Sequence, residues 1–209
     1  MTELPPSEAA TDEMSVVARS PIHFGPFLVT PQVFFVTPLS FAVVNLKPLL
    51  PGHVLVCPLR RTPRLSDLTP AETTNLFLTV RRVSRMVERI YQASSLNVAI
   101  QDGVDAGQSV PHVHAHIIPR KKADLDHKGG SDAIYGMLDG EEGDLGRFLA
   151  ERKLAMENKR TRSGFPAVDN DSREPRSDEE MQKEAELLAE EMEKEIEMEI
   201  ESSKRAYDN

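Results

Sequence analysis

A chain of 209 residues with 39% hydrophobic side chains can bury one core with room for tails, and a single cysteine excludes an internal disulfide. No apolar run approaches the roughly 20 residues that cross a bilayer, and the start, Met1-Thr2-Glu3-Leu4-Pro5-Pro6, lacks the basic and apolar stretches of a secretory signal. The net charge of −9 is uneven: from Ser177 to Glu201, 12 acidic residues against 2 lysines give −10 and leave +1 for the rest, so the acidity belongs to the tail.

Residues 1–20 are polar and proline-bearing without periodicity and read as a disordered N-terminal extension. A catalytic domain is expected over 21–122. It opens with short Val-, Phe- and Leu-rich runs at 24–29, 33–37, 41–46 and 53–59, parted by Thr30-Pro31, Pro38 and a loop at 47–52. Their brief connections predict antiparallel strands. Cys57, inside the apolar run 54–58, reads as an inert core thiol.

Thr69 as N-cap, Pro70 at the first helical position and Glu72 three residues after the cap predict a helix start with a capping box. Leu76, Val80, Val83, Val87 and Ile90, spaced by four, three, four and three, give that helix one apolar face. A strand follows at 96–101, then a glycine-bearing loop at 102–109 and a histidine-rich strand at 112–118. The expected fold is therefore α+β: an antiparallel sheet of about five strands with a long packed helix. Residues 123–176 read as a mobile, polar insertion or linker with a short helix near 145–156. Residues 177–209 form an acidic C-terminal helix and tail, on which Met181, Leu188, Met192 and Ile196 make a partial stripe. That helix is either loosely packed, in solvent or across a dimer, or a docking segment for a partner protein.

His112, His114 and His116 recur at a spacing of two between the apolar Val113, Ala115 and Ile117. On a strand this period puts three imidazoles on one face. Such clustering calls for a ligand, and metal ions and anions are the two candidates. The neighbouring residues favour an anion. Gly107, Gln108, Ser109 and Val110 supply backbone N–H groups and side-chain donors rather than carboxylates, a composition suited to cradling phosphate. A neutral imidazole can then attack phosphorus, and the middle one, His114, is the natural nucleophile, with His112 and His116 orienting it and donating hydrogen bonds. Gln101, at the end of the preceding strand, can contact the same oxygens.

The segment 112–118 matches the alternating pattern of the histidine triad superfamily. Around it, Leu39-Ser40-Phe41-Ala42, Val44-Asn45, the run 51–60, Ser95-Leu96, Gln101-Asp102-Gly103, Ala106-Gly107-Gln108 and the run 112–120 resemble the fragile-histidine-triad branch, the diadenosine triphosphate hydrolases. The resemblance implies a homodimer that hydrolyses bis(5′-adenosyl) triphosphate to AMP and ADP through a covalent AMP on His114. It assigns His112 and His116 to the triad, Gln101 to the bridging phosphate oxygens, Gly107, Gln108, Ser109 and Val110 to phosphate, Asn45 to the nucleoside and His53 to support behind the triad. Tyr135 lies in a segment that resembles the family's phosphorylatable tyrosine; by its residues it reads as an exposed loop tyrosine. The chain departs from the pattern in its leading extension, at Phe27, where relatives can carry a polar substrate-contacting residue, and in the inserted, acidic C-terminal region.

No tightly bound cofactor and no dedicated metal site are expected, with Mg²⁺ or Mn²⁺ travelling on the substrate. Neither nucleic acid nor membrane is an expected partner, and the expected location is intracellular, cytoplasmic with a nuclear pool left open. The rival readings are hydrolysis of adenylyl sulfate or nucleoside phosphoramidates, and a signalling module whose nucleotide-loaded dimer recruits partners.

Overall fold

A computed structural model describes residues 20–139 and 176–207, together with the single positions 150 and 154. The expected N-terminal extension, the helix near 145–156 and most of the linker thus lie outside the described residues. β1 (His23–Phe24) and β2 (Phe27–Leu28) make a small hairpin, and β3 (Val33–Val36), β4 (Ser40–Val44), β5 (Val54–Pro58), β6 (Ser95–Ala99) and β7 (Ala115–Arg120) make an antiparallel sheet in the order β3-β4-β5-β7-β6. All five residues of β4 and of β5 and all six of β7 are buried, as suits strands in the middle of a sheet covered on both faces.

Helix α1 (Pro70–Tyr91) starts with the expected capping box: the Thr69 side chain accepts from the Glu72 backbone, and the Glu72 carboxylate accepts from the Thr69 N–H at 2.8 Å. Arg60 adds a salt bridge to Glu72 at 2.7 Å and, through hydrogen bonding, holds that carboxyl down at about 2. Leu76, Val80, Val83, Met86 and Val87 are buried, and the helix packs across β4, β5 and β7. It ends at Gln92, which takes the left-handed conformation of a C-cap.

Two segments depart from expectation. Within 123–176, residues up to 139 are part of the folded body: α2 (Ala133–Asp139) buries Ile134, Met137 and Leu138 in a cluster with Leu49, Ile118 and Leu125. The C-terminal helix, α3 (Asp178–Tyr207), is not a loosely packed tail. Met181, Ala185, Leu188 and Met192 are buried in the main core, and the helix lies along β3, β4 and α1. Its acidic residues meet basic ones of α1: Glu191 pairs with Arg89, Glu195 with Arg85 and Arg89, and Glu199 with Arg81 and Arg82. No helix among the described residues is long and apolar enough to cross a membrane.

Candidate active site

β7 begins at Ala115, so only His116 stands on a regular strand, with Leu55 of β5 and Ala99 of β6 as its cross-strand neighbours. His112 and His114 lie in the extended approach to it. There the His112 N–H closes onto Val110 O at 2.7 Å and the Val113 N–H donates to Thr62 O at 2.7 Å. The three rings nevertheless come together and are nearly fully buried, with the His114 and His116 centroids 4.9 Å apart.

Hydrogen-bond partners fix where each proton sits, because a backbone N–H can only donate and a carbonyl can only accept. The Gly25 N–H donates to His112 Nδ1 at 3.0 Å, so the proton of His112 is on Nε2 and is given to Pro58 O at 2.8 Å. His114 gives its Nδ1 proton to the carbonyl of His112 at 2.7 Å, which leaves the lone pair on Nε2. The Leu49 N–H donates to His53 Nδ1 at 3.1 Å, so His53 carries its proton on Nε2 and donates it to His116 Nδ1 at 2.9 Å. His116 must then bear its own proton on Nε2, a buried atom with no hydrogen-bond partner among the described residues. The site thus pairs an imidazole lone pair with an imidazole N–H.

Burial keeps these rings neutral. It pushes His112 down to about 4, lowers His114, and takes His116 well below the ordinary histidine value with help from the neighbouring His114 and His53. The commitments of His112 to Gly25 and Pro58, and of His116 Nδ1 to His53, also leave no converging set of free ring nitrogens for a metal. Among the described residues, no group of three or more His, Cys, Asp or Glu is placed to hold one.

The other residues singled out from the sequence are held as follows. Asn45, buried, accepts the Lys47 N–H on Oδ1 at 3.0 Å and points Nδ2 at His53 Nδ1, the ring nitrogen that accepts, at 3.5 Å, so its side chain braces His53. Gln101 donates to the carbonyl of Leu138 at 3.4 Å, placing it beside α2. Gly107 takes a left-handed φ of 84°, and its N–H and that of Gln108 close the turn onto Val104 O and Gly103 O. The Gln108 amide accepts from the Gly103 N–H at 3.0 Å and donates to Pro63 O at 2.9 Å. These bonds give the loop 103–108 its shape. Ser109 and Val110 continue the loop to the triad, with Val110 buried. Tyr135 is exposed on α2.

Sequence reasoning missed Phe24 and Gly25. The Phe24 ring lies 5.0 Å from that of His114, edge to face, and 5.7 Å from that of His112, stacked. Gly25, at a φ of +53°, brings its N–H to His112, and a Cβ there would stand 2.6 Å from Val110. Both sit on a two-residue hairpin more than 80 residues upstream of the triad, where no local pattern marks them. Also missed was Asp102, which ties Arg64 and the Leu65 N–H, at 3.2 and 2.9 Å, to the start of the loop.

Residues 29–123 match the HIT domain family. The chain is 50% identical over 170 residues, 80% of its own length and 92% of the relative's, to a bis(5′-nucleosyl)-tetraphosphatase (asymmetrical) of Schizosaccharomyces pombe. It is 54% identical over 127 residues, 60% of its length and 69% of the relative's, to a protein of Arabidopsis thaliana named bifunctional bis(5′-adenosyl)-triphosphatase/adenylylsulfatase FHIT. Among solved structures, the Caenorhabditis elegans NitFhit protein superposes with a TM-score of 0.60 at 33% identity, over 86% of this chain and 32% of that longer one.

Proposed function

The chain belongs to the HIT-domain family of histidine triad proteins, in its fragile-histidine-triad branch, and from that membership we propose that it hydrolyses dinucleoside polyphosphates, chiefly diadenosine 5′,5′-triphosphate to AMP and ADP. The observation that carries the mechanism is the proton arrangement: a lone pair on His114 Nε2 beside a proton on His116 Nε2.

In the first step His114 Nε2 attacks the α-phosphorus. The bond from that phosphorus to the bridging oxygen breaks, and ADP leaves with the electron pair. His116 Nε2–H keeps its proton and donates a hydrogen bond to the departing oxygen, stabilising the charge that develops there. The ring of His114, now bonded to phosphorus at Nε2 and still protonated at Nδ1, is a cation. The His112 carbonyl, 2.7 Å from Nδ1, faces that positive charge. In the second step water attacks the same phosphorus, the phosphorus–nitrogen bond breaks and its electron pair returns to His114 Nε2, AMP is released, and the water's proton leaves to solvent with the products. Phe24 and the buried strands around the rings exclude water from the first step. Any Mg²⁺ or Mn²⁺ enters on the polyphosphate and neutralises its oxygens.

Two finer readings accompany this one. The Arabidopsis relative's second named activity supports adenylyl sulfate as another substrate, attacked identically with sulfate as leaving group. A homodimer would form through β6, the terminal strand of the sheet on the side away from β3, which carries the half-exposed Val98. Catalysis by one triad does not call on the partner copy, since all the groups named above lie on one chain.

The test is a rapid quench of protein mixed with diadenosine triphosphate labelled at the α-phosphate. Wild type is expected to carry acid-labile, base-stable label and to release AMP and ADP, and His114→Asn to do neither. Wild-type protein that binds the dinucleotide but yields no label and no products would overturn the hydrolase reading.

A further inference from the structure

Two residues before α3 begins, Arg176 reaches across the fold to the loop that aligns the triad. Its backbone N–H donates to Leu46 O at 3.2 Å, and its guanidinium donates to the Asn45 carbonyl through both Nε, at 3.1 Å, and Nη2. The same guanidinium pairs with Glu184, one turn and a half into α3, and Glu184 also accepts from the Tyr91 hydroxyl at 2.8 Å. Tyr91 in turn lies under Gly52, where a Cβ would stand 2.6 Å from its ring. The loop 45–53 is therefore held at one end by Arg176 and at the other by Tyr91, and both holds meet at Glu184.

That loop ends in His53. Asn45 points its amide N–H at His53 Nδ1, the Leu49 N–H donates to the same nitrogen and fixes the His53 tautomer, and His53 donates to His116. A guanidinium has the planar fork needed to serve a carbonyl and a carboxylate together, which an ammonium lacks. We propose that Arg176 is a positioning residue: by pinning Asn45 and Leu46 from the C-terminal helix, it holds His53 where it fixes His116 with its proton on Nε2. The inference rests on the triad reading above and deepens it. It gives α3, whose contacts otherwise serve the core, a role in the active site.

The alternative is that Arg176 merely helps dock α3. Arg85 supplies the comparison, because it holds α3 through the buried Glu195 at 3.0 Å and touches none of the loop 45–53. The full-length protein and its Arg176→Ala, Arg176→Lys and Arg85→Ala variants would be assayed for dinucleotide hydrolysis and thermal unfolding, with the histidine ring nitrogens observed by ¹⁵N NMR. Both alanine variants are expected to melt earlier. Only the Arg176 variants are expected to lose kcat, by about tenfold for alanine, the lower end of what removing a partner that orients a functional histidine costs. KM should move little, and His116 should lose its single Nε2–H tautomer. Arg176→Lys, which keeps the ion pair with Glu184 but not the fork, should fall between. Hydrolysis by wild type together with an unaltered kcat and an unaltered His116 tautomer in both Arg176 variants would overturn this inference alone. Absence of hydrolysis in the wild type would instead overturn the function on which it rests.

Discussion

His112 shows how much of a site's energetics turns on one proton. Its ring is fully buried, both nitrogens are engaged, and burial pushes its titration down to about 4. In the unfolded chain the same ring takes up a proton near 6.5. Above that pH neither state is protonated there and the native fold is unaffected. As pH falls from about 6.5 toward 4, only the unfolded state gains the proton, so stability is lost on acidification. The shift corresponds to about 3 kcal/mol for this group. Urea midpoints measured from pH 7.5 to 4.5 are expected to decline in wild type and to decline less in His112→Asn. Parallel curves would show that His112 does not titrate as its burial requires. The triad was legible in the sequence because its spacing is local, a period of two. The partners that set its tautomers, Gly25, Pro58 and Leu49, were not, since they are backbone groups whose side chains carry no signal. Asn45 and Gln108 were singled out in the sequence for contacts to substrate, whereas in this structure their amides bond the protein itself, a use of the side chain that composition does not reveal.

At the scale of elements, the hairpin of β1 and β2 does work out of proportion to its length. It presents Phe24 to two of the triad rings and the Gly25 N–H to His112, and only a residue without a side chain can take the φ of +53° against Val110. Gly25→Ala is expected to destabilise the fold by about 1–3 kcal/mol through strain and overpacking. It should also lower kcat by moving Phe24 and the N–H that donates to His112 Nδ1. Chemical denaturation and steady-state kinetics on the one variant check both effects, and a wild-type kcat in a destabilised protein would separate the hairpin's packing from any effect on the triad. Helix α1 was the most legible element, since capping box, proline and apolar stripe all lie within its own residues. The hairpin was the least: the run 24–29 has the composition of a strand, while the turn at Gly25 divides it into two strands of two residues.

For the whole molecule, the question left by an acidic C-terminus is whether it is an appendage or part of the domain. Its charge suggested solvent, and its stripe of Met181, Leu188, Met192 and Ile196 looked incomplete because Ala185 supplies the missing turn and the partner surface lies about 100 residues earlier in the chain. Seen from α1, however, Arg81, Arg82, Arg85 and Arg89 recur at helical spacing along a face that α3 covers with Glu191, Glu195 and Glu199. These pairs are mostly half-exposed, where an ion pair contributes about 0–1 kcal/mol, so they set the register of the two helices more than they stabilise them. The apolar contacts carry the energy. Burying Met181, Leu188 and Met192 contributes about 1.5–3 kcal/mol each, together comparable with the roughly 5–15 kcal/mol that holds a domain folded. A chain ending at Arg176 is therefore expected to lose most of its stability, exposing β3 and the outer face of α1, and to melt well below the intact protein by calorimetry. Leu188→Ala alone should cost about 2–5 kcal/mol while leaving the rest of the helix in place. If the shortened chain instead melts at the temperature of the full one, α3 is an independent appendage, its contacts with β3, β4 and α1 contribute nothing, and its outward acidic face becomes the only reason for its presence.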